Sequence, residues 1–148
     1  MKIYIGNYPK YRWYHHYLYK WFGYAPDQKK YIHIDKWDTW SMDHTLGEIA
    51  YPMLVQLRKA AHGAPFVDPI DVPEDLRPSH KAEHDAVDNT HFERWNWVLD
   101  EMIYAFDSKI NKDDIMLRFD DIEDAREEQN RISNGFLLFG KYYENLWD

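Results

Sequence analysis

Period-two alternation of apolar and polar residues occurs only twice along the chain, at Lys2–Ile5 and at Lys30–Lys36, and predicts two strands paired as a ribbon. Two strands alone are marginal, so the remaining chain has to supply helices. Pro9, following the break at Gly6-Asn7, suits a first helical turn, and Gly23 and Pro26 end the helix predicted over about 9–22. From Met42 to Ala61, Leu46, Ile49, Ala50, Met53, Leu54 and Leu57 keep helical spacing, with Asp38, Thr39 or Ser41 available as the cap. Pro52 deletes a backbone hydrogen bond there and clashes with the Glu48 carbonyl, which predicts a kink or a split.

Thr90 and Glu93 suit a capping box for the next helix, whose expected buried stripe is Phe92, Trp95, Leu99, Met102 and Phe106. Its second face, Glu93, Trp97, Asp100, Glu101 and Tyr104, is mixed aromatic and acidic and suited to lining a cleft. Ile122, Ala125, Gln129, Ile132, Phe136, Phe139, Tyr143 and Leu146 keep one helical phase through Gly135 and Gly140. Glycines in a helix cost up to about 1 kcal/mol each relative to alanine, so they point to close packing of another element. The pattern predicts an α+β fold: a mainly helical single domain over 1–148 with a small two-stranded ribbon. Residues 62–90, rich in proline and acid, form a long loop of the kind that serves as a lid, a binding loop or a disordered segment.

A chain of 148 residues buries a core without staples, and the absence of cysteine removes disulfides, thiolate metal sites and cysteine nucleophiles. Met1–Gly6 carries no long apolar core, and nowhere do eighteen apolar residues run together. The expectation is a soluble, unexported protein that does not meet the membrane.

Charge is unevenly placed. Residues 1–26 hold Lys2, Lys10, Arg12 and Lys20 and no acid, for +4, whereas the remainder carries −12. Ten aromatics share that basic segment, a mixture that grips phosphates and stacks on bases. A long nucleic acid would be repelled by the acidic remainder, but a small anionic nucleotide avoids most of that penalty. The plainer reading packs the same helix on the core with its cationic heads in water.

The run Lys36-Trp37-Asp38-Thr39-Trp40-Ser41-Met42-Asp43-His44 concentrates stacking and hydrogen-bonding groups. Trp37 and Trp40, with Trp97, can stack on a base. Arg12, Lys36, Arg94, Arg131 or Lys141 can neutralise a phosphate, and Asp38 or Asp43 can accept from a ribose or an exocyclic amine. Taken singly, each tryptophan fits a core plug better. His80-Lys81-Ala82-Glu83-His84 matches a zinc-hydrolase pattern by chance more readily than by chemistry, since no third ligand is identifiable. His44 and Glu48 suit a surface pair. Asp38, Asp43, Asp100 and Glu101 would make a magnesium or manganese site if their helices met. No P-loop, GxGxxG, G-x-S-x-G or EF-hand loop is present, and neither catalytic residues nor a cofactor is expected.

With Trp95-Asn96-Trp97-Val98-Leu99-Asp100-Glu101-Met102 and Asn134-Gly135-Phe136-Leu137-Leu138-Phe139-Gly140-Lys141-Tyr142-Tyr143, the tryptophan run resembles a family of small proteins encoded by tailed bacteriophages. The resemblance implies an accessory protein in the cytoplasm of an infected bacterium and transfers no catalytic residue. The leading expectation is a non-enzymatic binder that sequesters a small nucleotide-derived signal of bacterial immunity, its pocket formed within the chain or at a homodimer interface. A metal-dependent nucleotide-cleaving enzyme, a protein-binding inhibitor or acidic DNA mimic, and a minor virion protein are the alternatives.

Overall fold

A computed structural model describes residues 1–78, 88–111 and 118–147. Two compact units emerge, Met1–Met42 and Asp43–Asp148. Among the described residues the fold is mainly helical with one small antiparallel sheet, the expected α+β class.

In the first unit β1 (Lys2–Ile5) pairs antiparallel with β2 (Lys30–His33), Lys2 opposite His33 and Ile5 opposite Lys30. Gly6 N–H donates to the Lys29 carbonyl, and the Gln28 amide donates to the Gly6 carbonyl, closing one end of the ribbon. Helix α1 (Trp13–Phe22) begins where the Arg12 N–H donates to His15 Nδ1 at 2.9 Å. It ends at Gly23, whose φ of 66° is left-handed and lets Gly23 and Tyr24 return hydrogen bonds to Tyr19 and Leu18. His15 is the only buried side chain described in this unit. The aromatics of α1 are exposed, and within this unit they pack on no core. Tyrosine and tryptophan with a polar tip tolerate water where leucine would not.

Within this unit Trp37 and Trp40 plug no core either; they stand 66% and 84% exposed. The acids around them shape turns: Asp35 N–H donates to Asp38 Oδ2 at 2.7 Å and Trp37 N–H to Asp35 Oδ1 at 3.1 Å. Such self-capping by aspartate holds the backbone while leaving the indoles outside.

The second unit is built on α3 (His91–Asn111). Its Trp95, Val98, Leu99, Met102, Ala105 and Phe106 are buried, joined by Leu54 of α2 (Met42–Ala60) and Leu138 of α4 (Ile122–Lys141). Phe92 lies outside the stripe expected for it and is exposed, being one position past the buried His91. The Thr90 hydroxyl donates to the Leu76 carbonyl and accepts from Arg94. Helix α2 is not split at Pro52; its hydrogen-bonded run continues from Met42 to Ala60. The proline sits on an exposed face, where water can take the carbonyl it strands. The long final helix stops at Lys141, and a 3₁₀ turn over Tyr143–Asn145 carries the last phase positions.

Residues 62–78 are pinned rather than loose. The Tyr142 hydroxyl donates to Asp71 and accepts from the Asp68 N–H at 2.9 Å, while Lys141 bridges Asp68 and Asp71 at 3.1 and 2.6 Å. His91 Nε2 meets the Ala64 carbonyl at 2.9 Å. The His80 to His84 pattern lies outside the described residues.

Candidate functional site

The apolar stripe of α2 is only partly used by the core. Leu54 faces inward, but Leu46 and Met53 remain exposed, and together with Ile49 and Leu57 they form one wall of an open groove. Phe136 and Phe139 of α4 and Phe106 of α3 form its floor; Tyr143, Leu146 and Trp147 close one side. The volume is about 1070 Å³, just above the roughly 300–1,000 Å³ usual for small-ligand sites.

Three aromatic contacts order this lining. Phe106 meets Phe136 and Phe139 edge-on at 5.1 and 5.0 Å, and Phe139 meets Tyr143 at 5.9 Å. Edge-on geometry is what ring quadrupoles favour, and Tyr143 is the exposed ring among these contacts. The polar members are Asp43 and Lys109, paired at 2.6 Å and both exposed. The lysine holds the Asp43 carboxyl below its ordinary range, first by that hydrogen bond. The ends of α2 and α3 approach closely because Gly47 has no side chain: a Cβ there would stand 2.8 Å from Ile110 Cγ2.

Of the site residues expected from sequence, Asp43 lines the groove. Arg94, Arg131 and Lys141 occupy three separate ion-pair sites in the same unit. Arg94 is buried, forks onto both oxygens of Asp88 at 2.7 and 3.0 Å, and also reaches the Leu76 carbonyl at 3.1 Å. Arg131 forks onto Glu101 at 2.7 and 3.0 Å and lies over the Tyr104 ring at 3.7 Å. That pairing raises its already high pKa. Lys141 is held by Asp68 and Asp71. Trp97 is half-buried against the core.

Arg12, Lys36, Trp37, Asp38 and Trp40 lie in the first unit. Lys36 Nζ stands 4.9 Å from the Trp37 ring, and Asp38 takes the Met1 ammonium at 2.7 Å, which with the Asp35 N–H lowers its pKa. Arg12 is the exposed cap residue of α1.

Asp100 pairs with Arg58 at 2.8 Å and His44 with Glu48 at 3.7 Å, the latter as a surface pair. Among the described residues no three His, Asp or Glu side chains stand close enough to share a metal ion. Nor is any described helix long and apolar enough to cross a membrane.

Sequence reasoning missed Lys109 and the aromatic lining. The signal was present as two apolar stripes, on α2 and α4, wider than one shared core helix can cover. Comparison with protein-family models, curated proteins and solved structures gave no match.

Proposed function

We propose that this protein is a non-enzymatic binder of phage origin that sequesters a small nucleotide-derived signal of bacterial immunity, with the base held in the groove of the second unit. The observation that carries it is an open groove of about 1070 Å³ with an aromatic floor and a single ion pair at its edge. Flat aromatic guests gain about 1–3 kcal/mol per stacked base, and Tyr143 and Trp147 are exposed aromatic rings of the lining. Asp43 suits an exocyclic amine, and Lys109 suits one anionic group that displaces Asp43 from it. A polyphosphate fits poorly, because one lysine in a unit carrying −12 offsets little of its charge. The phage origin rests on the resemblance at the tryptophan run, the Trp95 to Phe106 helix and the tail.

Native mass spectrometry on protein purified from phage-challenged bacteria tests the reading. The expected result is a bound, chemically intact mass of nucleoside or nucleoside monophosphate type. A bound fatty acid would replace the nucleotide by another monoanion, and release of an altered nucleotide would replace sequestration by catalysis.

A further inference from the structure

Helix α1 carries a ridge that has no cover in its own unit. Trp13, Tyr17 and Trp21 recur every fourth residue and are 80%, 51% and 72% exposed. Their rings already touch edge-on along the helix, Trp13 to Tyr17 at 6.2 Å and Tyr17 to Trp21 at 6.3 Å. Three anchors on successive turns are how a helix lies in an apolar groove, and tryptophan and tyrosine are the side chains that dominate such contacts. The unit bearing them buries only His15, too little to sustain a two-stranded ribbon and one helix by itself.

Charge selects what covers this ridge. The first unit has seven basic and three acidic residues, net +4; the second has 11 basic and 23 acidic, net −12. The acidic unit also holds the apolar groove, open along α2 and floored by phenylalanines. A ten-residue helix is about 15 Å long, roughly half the length of α2.

We propose that the chain forms a two-fold dimer in which α1 of each protomer lays the Trp13, Tyr17 and Trp21 ridge into the groove of its partner. The inference rests on reading the groove as a binding site and adds its regulation: dimer contact and small ligand compete for the same surface. A symmetric exchange of this kind buries two identical contacts and closes without leaving an open end.

Sedimentation equilibrium on the ligand-free full chain, over a hundredfold range of concentration, tests it. The wild type is expected to dimerise. Trp13→Ser with Trp21→Ser, and separately Met53→Asp in the groove, should each weaken the dimer at least tenfold, whereas Trp40→Ser should not. Mixing the ridge variant with the groove variant should restore a weaker heterodimer, since one intact ridge then meets one intact groove. Circular dichroism checks that each variant folds; should either fail, Tyr17→Ser and Leu46→Ser carry the same test. A wild type that stays monomeric, or a dimer that survives both changes, overturns the proposal. Titration of the ridge variant with adenosine monophosphate separates the two readings, because its groove remains available whether or not the dimer exists.

Discussion

A Cβ placed on Gly135 would lie 2.5 Å from the Glu101 carbonyl oxygen and 2.6 Å from the Ala105 Cβ. Helices α3 and α4 therefore touch backbone to backbone at this point, and only glycine permits it. Gly135→Ala should destabilise by about 1–3 kcal/mol, the usual cost of overpacking. At Gly140 nothing stands within 4 Å, so Gly140→Ala should be neutral or stabilising by up to about 1 kcal/mol. Urea unfolding of both variants checks this, and equal effects would contradict it.

Arg94, engaged by Asp88, should govern stability rather than hold a phosphate. Arg94→Ala takes the partner from Asp88, which is partly exposed and can hydrate, and from the Leu76 carbonyl and the Thr90 hydroxyl, so it should cost about 1–3 kcal/mol. Lys29→Ala, on an exposed position, should change stability by less than about 0.5 kcal/mol. Thermal melts decide between them.

Arg94 also sets an acid limb. It holds the Asp88 carboxyl below its ordinary range, chiefly through their hydrogen bond. As pH falls, the unfolded chain takes up this proton first, near its ordinary pKa of about 3.9. The contribution is thus complete above about pH 5 and drains away as pH falls through the lower folded value. Asp88→Asn should lower stability at neutral pH and flatten this limb in a pH series of melts.

Tyr142 sets an alkaline limb of opposite sign. Burial first, and its hydrogen bond to Asp71 second, raise this phenol to about 12. The unfolded chain ionises nearer about 10, so the stabilisation is full below that pH and disappears as pH rises toward the folded value. Phenolate absorbance should show one late titration that Tyr142→Phe removes; identical curves would contradict it.

The core stripe of α3 was legible because burial imposes period on sequence, whereas the exposed ribbon and α1 were legible from alternation and from the glycine and proline breaks that bound them. Trp95, Leu99, Met102 and Phe106 stand where spacing placed them. Phe92 does not, since a helix's first turn can swing its side chain clear of the core, and periodicity is blind to ends. The site was far less legible. Arg94, Arg131 and Lys141 look available in sequence because their partners, Asp88, Glu101, Asp68 and Asp71, are chosen by tertiary packing. Asp38 looks like a ligand contact but shapes its own turn. Conversely, Leu46 and Met53 look like core, and only the width of the packed helices reveals that they line a groove.

Calorimetric titration with adenosine monophosphate, on wild type and on Tyr143→Ala, Trp147→Ala and Lys109→Ala, tests the groove most directly. Tyr143 and Trp147 are exposed and Lys109 pairs only at the surface, so these variants should keep their fold. Each aromatic deletion should weaken binding by about 1–3 kcal/mol with little change in melting temperature. Binding unaffected in all three variants, or absent from the wild type for both the nucleotide and its nucleoside, would contradict a nucleotide-binding groove.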